Sequence, residues 1–130
     1  MQRRQFIQAT TTLVLLPGSA VRSGDATLDY LFFDGRFARA RIAVSAWSAA
    51  NPPIAVHGDI TAVWGSGLER LTRRRPLRIG GVTTDSFLFC LRILASEHAN
   101  LDVRVSRLDR NLLQWTLNTR PILLARQLHG

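Results

Sequence analysis

The chain has 130 residues, enough for one domain with one core. An apolar content of 46% excludes wholesale disorder, and no apolar run approaches the roughly twenty residues of a membrane-spanning helix. The net charge of +8 is carried by arginine without any lysine, and the single cysteine, Cys90, excludes an intramolecular disulfide and a cysteine-rich metal site.

Residues 1–20 read MQRRQFIQATTTLVLLPGSA. Charged, moderately apolar and small helix-breaking residues follow one another in the order of an export signal. The pair Arg3-Arg4, with Phe6 and Ile7 behind it, resembles the twin-arginine (Tat) signal peptides. Gln2 and Gln8 depart from the residues usual at those places. The resemblance implies cleavage near Ala20, the Tat translocase as a transient partner, and a periplasmic or secreted protein. It covers residues 1–20 only and carries nothing about the chemistry of the rest.

The remaining chain divides into a single domain over 21–118 and a tail over 119–130. Leu28–Phe33 is rich in aromatic and β-favouring residues and predicts a first strand, punctuated by Asp34 and Gly35. Ala40, Ala43, Val44, Trp47 and Ala50 then recur at helical spacing, so a helix is expected from Arg36 to Ala50. Asn51-Pro52-Pro53 ends it. Ile54–Val56 is a short second strand.

His57, Gly58 and Asp59 follow, and Asp59 is placed to cap the next helix. Its stripe is Ile60, Val63, Trp64, Leu68 and Leu71, with a break expected after Trp64 because Gly65 and Gly67 weaken helix. Arg73, Arg74 and Arg75 run into Pro76, where arginine complements a helix C-terminus or recognises a phosphate or a partner.

Leu77–Ile79 predicts a third strand and Gly80-Gly81 a tight turn after it. Thr83 or Thr84 caps a helix that runs to about His98, apolar almost all round and therefore the most buried, with Cys90 as a small core residue. Leu101, Val103 and Val105 alternate with polar residues as in a half-exposed strand. Asp109–Asn111 turns the chain into a last strand over Leu112–Leu117. Thr119–Gly130 is expected to be a tail whose Ile122, Leu123, Leu124 and Leu128 pack or dock on a partner.

Successive strand-helix units followed by a hairpin predict a three-layer α/β fold. Its small sheet is expected to be mostly parallel, with a C-terminal antiparallel hairpin at its edge. Ligands in such sheets sit beyond the C-terminal ends of the strands. That rule gathers Asp34 and Arg36, His57 and Asp59, and Gly80, Gly81, Thr83 and Thr84 into one expected cleft. Arg36 and the Gly80–Thr84 turn would hold an anion. His57 with Asp34 or Asp59 would serve as an oriented general base. Neither a dinucleotide fingerprint nor a Walker motif is present, and one histidine with two aspartates has no metal-ligand spacing. Asp34 at a strand end resembles the nucleophile of haloacid dehalogenase-like phosphatases, but Arg36 stands where their second aspartate falls and lysine is missing.

Two functions follow. The first is a small exported binding or accessory protein without catalysis, working with a protein partner or a small anion. The second is a small hydrolase-like enzyme, which requires His57, an aspartate and a threonine to converge. Nucleic acid is disfavoured, because aromatic residues are not interleaved on one basic face. No cofactor is legible.

Overall fold

β1 (Tyr30–Asp34) lies inside the sheet, between two parallel neighbours. Its Leu31 and Phe33 enter one apolar cluster and its Phe32 another, so both faces are covered. A strand buried on both faces reads as a continuous apolar run, which is why this segment is legible. The structure, a computed structural model, describes residues 27–122. The signal-like segment and the tail beyond Ile122 lie outside the described residues.

α1 (Ala38–Val44) packs Ala40 and Val44 against β1. It stops well short of Ala50. The amides of Ser45, Ala46 and Trp47 each donate to the carbonyl three residues back, which tightens and ends the helix. The chain is then recaptured by β1's lead-in: Leu28 bridges Ala49, and the Ala50 amide donates to the Leu28 carbonyl at 2.7 Å. A tertiary contact thus overrides a helical periodicity.

β2 (Ile54–Val56) pairs parallel to β1. α2 (Ile60–Val63) is capped by Asp59, whose Oδ1 accepts the Thr61 amide at 2.8 Å. A kink over Trp64–Leu68 separates it from α3 (Glu69–Arg74). Gly67 takes a φ of 146°, so the expected break falls where the glycines stand. Arg75 is extended before Pro76, and α3 ends there.

β3 (Leu77–Thr83) is longer than expected, and Gly80 and Gly81 lie inside it rather than in a turn. They are there because two tryptophans press on the strand from opposite faces. A Cβ on Gly80 would come within 2.6 Å of the Trp47 ring and of Leu28. A Cβ on Gly81 would collide with the Trp115 indole. Glycine in a strand marks a close approach as readily as a turn, and here it is the former.

α4 (Asp85–Ser96) buries Phe87, Leu88, Leu91 and Ala95. Cys90 is not a core residue: it is exposed, as are Phe89 and Ile93. An apolar run hid the fact that this helix has a solvent face.

β4 (Ala99–Arg107) and β5 (Leu113–Pro121) form the antiparallel hairpin. β5 extends to Pro121, so the first residues assigned to a tail belong to the sheet. The Thr119 hydroxyl accepts the Leu77 amide at 3.2 Å, which ties this end down. The strand order is β2-β1-β3-β5-β4. β3 and β5 are antiparallel, so the last strand is inserted beside β3 and β4 is left at the edge. The result is a mixed α/β fold with a mixed five-stranded sheet: two parallel junctions, β1–β2 and β1–β3, and two antiparallel ones. No helix among the described residues is long and apolar enough to cross a membrane.

Candidate functional site

Asp34, Arg36 and His57 do meet beyond the ends of β1 and β2. The Asp34 side chain is wholly buried where β1 ends. The Arg36 amide donates to its Oδ1 at 3.0 Å, Arg36 Nε donates to the same oxygen at 2.9 Å, and Nη2 donates to Oδ2 at 2.6 Å. A turn and a two-pronged ion pair close on one carboxylate. Burial alone would raise the Asp34 pKa, but the hydrogen bonds and charge of Arg36, with a smaller contribution from His57, hold it below the usual carboxylate value.

Two glycines make room for this arrangement. A Cβ on Gly58 would come 2.8 Å from Arg36 Nη2, and one on Gly35 would come 3.1 Å from His57 Nε2. The guanidinium therefore lies over Gly58 and the exposed imidazole over Gly35. Gly58 also takes a φ of 91°, which favours glycine.

The other expected partners are engaged elsewhere. Asp59 is exposed and caps α2. Thr83 is buried, accepts the Trp115 Nε1–H at 2.9 Å and donates to the Thr84 carbonyl at 3.2 Å. Thr84 Oγ1 lies 3.3 Å from Ser86 Oγ. Gly80 and Gly81 are covered by tryptophan rings. The proposed anion-holding turn is thus strand and core, and the sequence-derived cleft contracts to Asp34, Arg36 and His57. Among the described residues no three His, Cys, Asp or Glu side chains are grouped to hold a metal ion.

A second arrangement was legible only in part, through the arginines before Pro76. A groove of about 370 Å³ is lined by Trp64, Gly65, Gly67, Glu69, Arg70, Arg73 and Arg74. The kink at Gly67 separates Trp64 from α3, and the Trp64 indole is stacked on His98, with ring centroids 6.2 Å apart and planes 14° from parallel. Glu69 accepts from Arg73 at 3.2 Å and lies 3.6 Å from His98 Nε2. Three guanidinium groups against one carboxylate leave the groove electropositive beside an aromatic wall.

A cavity of about 360 Å³, between Trp47 and Pro53, lies in the connection from α1 to β2. It is lined by neutral residues, Leu31 among them. Compared with protein-family models, curated proteins and solved structures, the chain has no match.

Proposed function

We propose that this is an exported, non-catalytic binding protein whose ligand carries a small anionic group. The observation that carries the reading is the groove that Arg70, Arg73 and Arg74 line together with the half-buried Trp64. Guanidinium groups recognise phosphate and carboxylate through paired donors, and an aromatic wall contributes apolar contact. The anionic ligand is either a free molecule or a group on a protein partner, and the shared recognition chemistry is the same.

Titration with inorganic phosphate, followed by tryptophan fluorescence, tests this. The expected response is saturable, disappears in Trp64→Phe and weakens in the double variant Arg70→Gln with Arg73→Gln. A wild-type chain that shows no saturable response to phosphate or to a carboxylate would sink the reading.

The hydrolase-like alternative rests on the approach of His57 to the Asp34 end of β1. It is weakened because Asp34 is tied to Arg36 and Asp59 to the start of α2. The three-layer, mostly parallel description of the sheet is supported by apolar clusters on both faces and by β4 running the same way as β3.

Export rests on Arg3, Arg4 and Phe6, and the Tat translocase and a periplasmic or secreted location follow from the same residues. Replacing Arg3 and Arg4 together with lysine is expected to block export. Unchanged export would remove the twin-arginine reading and leave the groove untouched.

A further inference from the structure

β4 is a nine-residue edge strand, and among the described residues only β5 pairs with it. Which of its backbone groups face outward follows from the two ends of the hairpin. The Ile122 amide donates to the His98 carbonyl at 3.0 Å, and the Leu108 amide donates to the Leu112 carbonyl at 2.9 Å. Both pairs continue the register that sets Val103 opposite Leu117. Bonded and non-bonded pairs alternate in an antiparallel ladder, so Asn100, Asp102, Arg104 and Ser106 bond inward to β5. Leu101, Val103 and Val105 then present their N–H and C=O groups to the open edge.

The same three residues turn their side chains to the α4 side of the sheet. Leu101 and Val103 pack on the cluster that contains Phe87, Leu88 and Leu91, and the period of two places Val105 with them. Arg107 Nη2 donates to Asp85 Oδ2 at 2.9 Å, which fixes the first turn of α4 beside the end of β4. Phe89 and Ile93 lie on the face of α4 opposite the buried Phe87, Leu88, Leu91 and Ala95 and point away from the sheet. Phe89 is 64% exposed, Ile93 48% and Val105 45%. The half-exposed Val105 therefore stands on a strand edge whose outward polar groups have no partner among the described residues, an arrangement that soluble proteins normally cover or block.

We infer that the chain forms a two-fold symmetric dimer by antiparallel β4–β4 pairing centred on Val103. The occupant is set by the charge pattern of the strand itself. In this register Asp102 stands opposite Arg104 of the partner subunit, and Leu101 opposite Val105 of the partner subunit. Oppositely charged residues directly across a strand pair attract, and like charges repel. Centring the pairing on Asp102 or Arg104 would face that charge with its own copy. Centring it on Leu101 or Val105 would leave Asp102 opposite asparagine or Arg104 opposite serine. The Val103 register alone joins outward backbone groups, apolar side chains on one face and ion pairs on the other. The contact is isologous and closes, so it makes dimers rather than fibres.

Sedimentation equilibrium of the full chain at micromolar concentration tests this, with circular dichroism as the check on folding. The wild type is expected to be dimeric. Arg104→Asp places like charges across the joint twice and is expected to weaken the dimer by about tenfold or more. Adding Asp102→Arg to that variant exchanges the two charges and is expected to restore it. Val105→Ser, at an exposed position of β4 itself, is expected to weaken the dimer without loss of fold. A monomeric wild type, as when the chain's own residues occupy the edge, would overturn the inference. So would a dimer indifferent to Arg104→Asp, or a folded double variant that stays monomeric.

Discussion

The indole N–H of Trp115 donates to the buried hydroxyl of Thr83 at 2.9 Å, joining β5 to the last residue of β3. Valine in place of Thr83 would keep the shape and orphan that N–H. A buried donor left without a partner costs about 1–3 kcal/mol. Thr83→Val is therefore expected to lower the thermal midpoint by several degrees, while Thr83→Ser, which keeps an acceptor, is expected to lose less. Equal midpoints for wild type and Thr83→Val would show that the bond is immaterial.

The glycines of this chain are predicted to respond in opposite directions to alanine. At Gly81 the added methyl meets the Trp115 indole, and overpacking of that kind costs about 1–3 kcal/mol. At Gly65 nothing lies within 4 Å of the added carbon, and replacing helical glycine is expected to gain about 0.5–1 kcal/mol. Gly67 has the same open space but a φ of 146°, so Gly67→Ala is expected to destabilise. Chemical denaturation of the three variants ranks them. A Gly81→Ala protein as stable as wild type would show that the indole moves aside freely.

Asp34 makes stability depend on pH in a direction that can be stated. Its carboxyl is held below the ordinary value, so in mild acid the unfolded chain binds a proton that the native chain does not. Stability from this group is complete above the unfolded pKa of about 4 and is lost as pH falls through the lower native value. In Arg36→Gln the guanidinium's hydrogen bonds and charge are lost and only the residue-36 amide and His57 still oppose the effect of burial, so the Asp34 pKa rises. The difference in thermal midpoint between wild type and Arg36→Gln is expected to be greatest near neutrality and to shrink in acid. A difference that is flat from neutrality to below pH 3 would place the stabilisation somewhere other than this ion pair.

Glu69 is the carboxylate that tempers the arginine groove, through Arg73 at 3.2 Å. The pair is largely exposed, so Glu69→Gln is expected to change stability by less than about 1 kcal/mol. It is expected to tighten phosphate binding, by no more than about fivefold at that interaction strength. Weaker binding in this variant would mean that Glu69 orients Arg73 for the ligand rather than competing with it.

Much of the fold was written in short-range pattern. The apolar run of β1, the Asp59 cap, the break between Trp64 and Leu68 and the alternation of β4 all depend on neighbouring residues. The candidate site was less legible. Asp34, Arg36 and His57 are gathered by parallel strand ends, as the order of elements implied. Thr83, Gly80 and Gly81 looked like phosphate-binding chemistry because a glycine pair before a threonine reads the same in a loop as in a crowded strand.

The difference lay with Trp47 and Trp115, which stand 33 and 34 residues away from Gly80 and Gly81 in the sequence. Nothing local to Leu77–Thr83 records that two indoles will press on it. The sequence by itself determined the class of fold, the strand-helix order, the basic character and the twin-arginine pattern, because composition and periodicity act over a few residues. Only the tertiary structure decided that β5 inserts beside β3, that α4 shows Phe89 and Ile93 to solvent, and that the arginines of α3 share a groove with Trp64. Those outcomes depend on which surfaces meet, and competing pairings differ in long-range packing that no single segment encodes.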